Sequence, residues 1–298
     1  PAARLCEPAG SRFGGFCTDF RTLGAHVNIH PTAVIHPEAQ LGPNVEIGPF
    51  AFVDKGAEIG ADSVIGPHVV ILRHTTLGPG CRVHTGAVLG DLPQDLSFKN
   101  VVSCLKIGAR CVIREYVTIH RGTKEGSATL VGDDCLLMAL CHLGHNVRLG
   151  NRVIIANASL LGGYVEVGER AFISGGVAIH QFVRVGRLAM VGGNTALSKD
   201  VPPFCLVPSL VRNCVGGLNI VGLRRAGIPP EERQQIKSAF NRLYRSGLNV
   251  SQAVEKLRAE FPAGPAAELA AFIAESRRGI CGFLRTAPGS DEDERPDE

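Results

Sequence analysis

Tryptophan does not occur in the 298 residues, tyrosine occurs three times, and aromatic residues make up 5% of the chain. A core built on large rings is therefore excluded, and the 45% hydrophobic content must come from aliphatic and small side chains. An excess of one charge is also missing. Lys and Arg number 31 against 28 Asp and Glu, a net +3 spread along the chain, which offers no basic stripe and predicts no nucleic-acid partner. No apolar run approaches the ~18 residues that cross a bilayer, and residues 1–22 lack the continuous apolar core of a signal peptide. No transmembrane segment is expected, and a cytoplasmic location is. None of the ten cysteines (6, 17, 81, 104, 111, 135, 141, 205, 214 and 281) forms a CxxC pair, and most stand beside aliphatics. They read as reduced thiols used as small apolar side chains.

What is present is a period. Stepping six residues at a time from Leu23 meets Ile29, Ile35, Leu41, Ile47, Val53, Ile59, Ile65, Ile71, Leu77, Val83 and Leu89. The step resumes at Ile107, Ile113 and Ile119, and again from Val131 to Leu197. With about a third of residues aliphatic, a run of twelve is expected on the order of once in half a million starts, so the pattern is structural. A hexapeptide period predicts a mainly β protein, a parallel β-helix in which each unit forms one flat side of a prism, and resemblance to hexapeptide-repeat proteins implies that the β-helix is left-handed. Three sides make a coil of 18 residues, and 27 units make roughly nine coils, a prism about 43 Å long. Glycine follows the aliphatic at Gly42, Gly48, Gly60, Gly66, Gly78, Gly90, Gly108, Gly150, Gly168 and Gly186. These glycines read as tight corners that often need a positive φ.

The prism is expected over residues 23–203, after an N-terminal extension (1–22), with two interruptions at 91–106 and 121–130 that read as loops building a binding face. Beyond Pro202-Pro203 the spacing turns helical over 229–247, 251–261 and 265–279, which predicts a C-terminal α-helical domain over 204–284. The acidic tail, 285–298, reads as disordered.

A coil of three hexapeptides also predicts which residues meet. His145 falls beneath Gly163, Asn146 beneath Tyr164, and Gly144 beneath Gly162, itself beneath His180. A histidine under glycine has open space and a bare backbone N–H within reach, which suits acyl transfer, where a base meets a hydroxyl and a fixed donor holds an oxyanion. His26, His30, His36, His68, His74 and His84 read instead as ordinary surface residues. A zinc site would call for three histidines including an HxxxxH pair; the sequence has HxxH at His142 and His145, and no metal is expected.

Several stretches then resemble one family, the UDP-N-acetylglucosamine O-acyltransferases that begin lipid A synthesis: "LPQDLSFK" (92–99), "IREYVTIHRGT" (113–123), "LLMALCHLGHNVRLGNRVIIAN" (136–157), "AIHQFVRVGRLAMVGG" (178–193), "DVPPF" (200–204) and "GLNIVGLRRAG" (217–227). The resemblance implies transfer of an (R)-3-hydroxyacyl group from acyl carrier protein to the glucosamine 3-hydroxyl, within a homotrimer whose sites lie between subunits. No cofactor is implied beyond the phosphopantetheine of the carrier protein. It further implies that His145 is the general base and Gly163 the oxyanion donor. By the same match His120, His142, His180 and Gln181 line the cleft, Gln94 and Asp95 contact the sugar, Asn219 and Arg225 lie near nucleotide and pantetheine, and Gly193 limits acyl length. Cations of the cleft are expected to hold the diphosphate. The chain departs from the family at four places. Asn146 stands where an aspartate follows the base, Tyr164 where a histidine comes one coil later, Ser97 (with Lys99 nearby) where a lysine is usual, and Ala226 where a second arginine is. The "HNV" of 145–147 resembles the related N-acyltransferase of the same pathway, so an amino-sugar acceptor and a catalytically silent binding homologue stand as alternatives.

Overall fold

The computed structural model describes residues 27–284; Leu23, the extension 1–22 and the tail 285–298 lie outside them. Short strands, most of two residues, stack in parallel into three sheets of 11, 9 and 8 strands that form the sides of a left-handed β-helix, and four helices follow. In the regular coils each strand pairs with the strand three hexapeptides further on, as in Asn28 with Glu46 and Ile154 with Phe172. The interruptions lengthen two turns of the prism without breaking it. Across them Arg82 pairs with Val112, and Val112 with Leu136, at longer separations than the regular coil. The ends of both interruptions are themselves strand, since Cys104–Ile107 pairs with Ala128–Val131.

The six-step aliphatics point inward, with Ile71, Leu89, Ile113, Leu137, Leu143, Ile155 and Leu161 at zero exposure. A second inward position, two residues before each of them, escapes the sequence reading because it holds mixed small residues: Val45, Ala51, Ser63, Cys81, Cys111, Cys135, Cys141 and Ser159 are all buried there. Four of the cysteines thus fill one structural niche. The cysteines among the described residues are free thiols.

The expected positive φ of the post-aliphatic glycines is corrected: of the ten, only Gly90 has one. Their lack of a side chain serves close approach. A Cβ on Gly42 would lie 2.5 Å from the Ala61 nitrogen, and one on Gly60 2.5 Å from the Pro79 nitrogen, on the next coil. The left-handed residue comes two places later and is seldom glycine, as at Asn44 (φ 59°), Asp62 (59°), Asn146 (59°), Ala158 (58°) and Tyr164 (60°).

Past Pro203 the period vanishes but the stack goes on for one more rung, Cys205–Val207 pairing in parallel with Met190–Val191. A short helix absent from the sequence reading, α1 (Ile220–Arg225), precedes α2 (Pro230–Tyr244), α3 (Val250–Glu260) and α4 (Pro265–Ala274). The last ends short of Gly279, earlier than its spacing suggested. The three longer helices bury Leu243, Leu257, Leu269 and Ile273 among themselves. Arg187 pairs with Glu268 at 2.8 Å, and Arg184 lies 4.2 Å over the Phe272 ring, which fastens the helices to the prism. Asp200, 1% exposed, accepts from the Arg184 N–H and the Ser276 hydroxyl at the same seam.

If glycine serves close approach at one corner position and left-handed backbone sits at another, two opposite substitutions must both run against composition-based expectation. Gly60→Ala is expected to destabilise by about 1–3 kcal/mol through overpacking. Exposed Ala158→Gly is expected to stabilise by about 0.5 kcal/mol, because a left-handed alanine costs roughly 1–2 kcal/mol and the extra chain entropy of glycine offsets part of the relief. Urea midpoints of the two variants against wild type check both signs.

Candidate active site

One side of the prism carries Thr118–His120, His142–Leu143, Leu160–Leu161 and Ala178–Ile179 one above another. His145, Gly163 and Gln181 follow at its corner, each two residues past an inward aliphatic. The 91–106 interruption brings Gln94 and Asp95 beside them. Gln94, His120, His142, His145, Gly163, His180 and Gln181 line one cleft of about 350 Å³. A second hollow of about 380 Å³ shares His142 and His180 with it and runs on over Leu160, Ala178, Ala196 and Leu197 to Arg212.

His145 lies under Gly163 as the coil register requires, so closely that any Cβ on Gly163 would run into the imidazole ring. The same corner position is proline in other coils, at Pro43, Pro49, Pro67 and Pro79, so the fold does not need its N–H. The Gly163 N–H is taken up by no backbone carbonyl among the described residues. A ring nitrogen base and a spare amide donor therefore face one cleft.

The His145 Nε2 lies 3.9 Å from Asp95 Oδ2, beyond hydrogen-bond length. Asp95 is held by its neighbour: the Ser97 N–H (2.9 Å) and hydroxyl (2.8 Å) both donate to its Oδ1 and keep the carboxyl below its ordinary range. This gives Ser97, where the family usually has lysine, a local task. On its other edge His145 Nδ1 lies 3.1 Å from Asn146 Oδ1, and its ring meets that of Tyr164 edge-on at 5.3 Å. Asn146 and Tyr164 occupy successive coils as expected, but Thr123 joins them. The Thr123 hydroxyl is 2.9 Å from Asn146 Oδ1 and 3.0 Å from the Tyr164 hydroxyl. Sequence reasoning missed Thr123 because it lies in an interruption, where counting by coils fails.

His120 and His142 pack edge to face at 4.9 Å, and Thr118 Oγ1 bonds His142 Nδ1 at 2.8 Å. Burial pushes both below the usual histidine range. For His120, 6% exposed, it does so first and the neighbouring His142 second, to about 4. Both rings are neutral near pH 7, so these histidines supply hydrogen bonds to the cleft and no positive charge.

Three sequence-derived positions lie elsewhere. Asn219 caps α1, accepting from the Gly222 N–H at 3.0 Å and donating to the Leu188 carbonyl at 2.9 Å. Arg225 is exposed at the end of that helix. Gly193 belongs to a different corner of the prism, its Cα facing the Gly175 carbonyl. None of the three lines the cleft in one chain.

Known proteins match this architecture along most of its length. The family model for "Bacterial transferase hexapeptide (six repeats)" matches residues 56–91 and 128–163, and that for "Udp N-acetylglucosamine O-acyltransferase; Domain 2" matches 200–281. An acyl-[acyl-carrier-protein]--UDP-N-acetylglucosamine O-acyltransferase of Thermodesulfovibrio yellowstonii is 40% identical over 85% of this chain and 98% of its own length. The enzyme of the same name from Synechocystis is 48% identical over 77% and 83%. Among solved structures, the UDP-N-acetylglucosamine acyltransferase of Bacteroides fragilis superimposes with a TM-score of 0.80 at 42% identity, covering 84% of this chain and 98% of that one. With identity of this extent running through both the prism and the helices, the chain belongs to the UDP-N-acetylglucosamine O-acyltransferase family.

Proposed function

We propose that the chain transfers an (R)-3-hydroxyacyl group from acyl carrier protein to the 3-hydroxyl of UDP-N-acetylglucosamine, the first step of lipid A biosynthesis, with His145 as general base. The observation that carries this reading is the imidazole of His145 lying against the unspent N–H of Gly163 in one cleft. The imidazole takes the proton of the sugar 3-hydroxyl as its oxygen attacks the thioester carbonyl. The resulting oxyanion accepts a hydrogen bond from Gly163. The intermediate collapses to the ester, the C–S bond breaks, and the pantetheine sulfur leaves with the proton from the imidazolium. The prosthetic group these steps call on is the phosphopantetheine that carries the acyl group.

The hollow over Leu160, Ala178 and Ala196 adjoins the cleft and suits the pantetheine arm and acyl chain, with Gln94 and Asp95 turned to the sugar. Since His120 and His142 are neutral, the diphosphate draws its positive charge from arginine, with Arg225 our candidate. The positions outside the cleft fit a homotrimer whose sites lie between subunits, and we assign the protein to the cytoplasm on its family resemblance. Phe50, Tyr116, Leu140 and Leu210, 57–78% exposed, stand on the corner that carries Gly193. An apolar edge of this kind suits contact with another protomer, so that Gly193 would limit the acyl chain across that contact. One observation favours a second acceptor. Asn146 leaves no carboxylate behind His145, and an amine needs less help from a base than a hydroxyl, so a UDP-amino sugar acylated on nitrogen is the alternative. Mass spectrometry of products from purified protein given 3-hydroxyacyl carrier proteins with UDP-N-acetylglucosamine or its 3-amino analogue tests the reading. Product from the amine alone would replace the ester by the amide.

His145→Ala is expected to lower kcat by at least ~10² in a protein that stays folded, and retention of a tenth of wild-type activity would remove the residue from its role. Gly193→Met is expected to shift preference toward shorter acyl chains, each excluded methylene costing about 0.8 kcal/mol, as read from the acyl profile of products. The neutral His120 also gives a stability prediction. Its folded value lies below its unfolded value of 6.5, so its contribution is full above pH 6.5 and is lost as pH falls toward about 4. Tm should fall through that window, and fall less in His120→Phe, which keeps an aromatic ring and removes a buried Nδ1 that has no hydrogen-bond partner among the described residues.

A further inference from the structure

We infer that Thr123 is a positioning residue that sets the tautomer of His145 by holding the side-chain amide of Asn146. This inference rests on His145 being the base and adds the reason its cleft-facing nitrogen is free to accept a proton.

The direction of every hydrogen bond around Asn146 follows from one donor that cannot change role. The Thr123 backbone N–H lies 3.0 Å from the Asn146 side chain, so the amide must turn its oxygen that way, since its NH2 group would meet a second donor. That oxygen only accepts. His145 Nδ1, 3.1 Å from it, must therefore carry the hydrogen, and in the neutral ring the lone pair falls on Nε2. The Thr123 hydroxyl, 2.9 Å from the same oxygen, must likewise donate, so the Tyr164 hydroxyl at 3.0 Å donates to Thr123. The arrangement has one sense: Tyr164 O–H to Thr123 Oγ1, Thr123 O–H to Asn146 Oδ1, and His145 Nδ1–H to the same Oδ1.

The group that could oppose this tautomer is Asp95, whose carboxylate would favour a proton on Nε2. At 3.9 Å it forms no hydrogen bond to the ring, and its other oxygen is occupied by Ser97, so the 3.1 Å bond on the Nδ1 side decides. Isolated neutral imidazole side chains favour the hydrogen on Nε2, and the site reverses that preference.

Thr123 is itself held. The interruption that contains it closes on Lys124 and Ser127, where the Lys124 N–H donates to Ser127 Oγ at 2.9 Å and the Ser127 N–H to the Lys124 carbonyl at 2.9 Å. The same segment anchors the backbone of Asn146, whose N–H donates to Thr129 Oγ1 at 2.8 Å. The extra length of this turn over a regular coil thus grips the neighbour of the base at two points. Among the described residues the Thr123 hydroxyl bonds Asn146 and Tyr164 alone. An amide released from this grip can rotate, present its NH2 to Nδ1, and place the hydrogen on Nε2, where the ring can no longer accept one from substrate.

The test is the 15N spectrum of the full-length protein at neutral pH, in which the two ring nitrogens of His145, assigned by their loss in His145→Gln, report which carries hydrogen. We expect a protonated Nδ1 and a bare Nε2 in wild type. Thr123→Val keeps the backbone N–H and removes the hydroxyl, one of the two bonds by which Thr123 holds Oδ1, so the balance of tautomers should move toward protonated Nε2 by roughly 5–10-fold, the size of one hydrogen bond, with kcat lowered and KM little changed. Thr123→Ser, which restores the hydroxyl, should recover most of that loss, and Tyr164→Phe should give a smaller shift in the same direction. A wild-type spectrum with hydrogen on Nε2 overturns the inference whatever the variants do, and so does a Thr123→Val protein with unchanged spectrum and unchanged kcat. Should Thr123→Val not fold, the wild-type and Tyr164→Phe spectra decide. Full activity in His145→Ala would instead defeat the base assignment and leave the tautomer result standing, so the two failures are told apart.

Discussion

At one of the three corners of this prism, that of Gly42, Gly60, Gly78, Gly150 and Gly168, successive coils come so near that a methyl group after the inward aliphatic would strike the backbone of the next coil. The stack depends on that approach. It lets parallel strands of two residues pair at full backbone hydrogen-bond length, as in Gly42 N–H to the Ile59 carbonyl at 2.8 Å, though such strands could not persist alone. It also opposes slippage, because glycine recurs at that corner in coil after coil with an aliphatic filling the interior just before it, while the other two corners accept side chains such as Asp54 and Met138. Strict register follows from steric need as much as from burial.

A prism in strict register converts distance along the chain into height, and the candidate site follows from that conversion. His142, Leu160 and Ala178 are one step apart on a face, and His145, Gly163 and Gln181 one step apart on an edge. The interruptions add what periodic rungs cannot, polar side chains that reach across the face: Asp95 and Gln94 from one, Thr123 and Thr129 from the other. Periodic stack and irregular loop divide the work, the first holding the imidazole against the backbone and the second holding its hydrogen-bonding partners.

The same division explains what could be read beforehand. The aliphatic period, the three sides, the helical spacing and the Gly163-over-His145 stack were legible because each is a repeat or a fixed offset. The second inward column was not, since Ala, Ser, Thr, Val and Cys all fit it and no single residue type marks it. The positive-φ corner was misplaced by two positions, because glycine is the usual sign of left-handed backbone and here answers a different demand. Thr123 and the Ser97–Asp95 pair were invisible to counting, lying where the count is broken. Asn219 was read as a binding residue; within one chain its side chain is occupied by a helix cap.

The prolines at residues 43, 49, 67 and 79 mark a position that the architecture leaves unclaimed, since a residue with no amide hydrogen stands there as comfortably as any other. Elsewhere the same amide is used for local bonds, as when the Ala109 N–H donates to Asp133 at 2.8 Å. Each corner therefore carries a ladder of optional donors, one rung per coil, beside a ladder of side chains that the core does not need. Groups that stability does not require can be exchanged without loosening the molecule. A scaffold of this kind can change which rung is reactive while its interior stays the same.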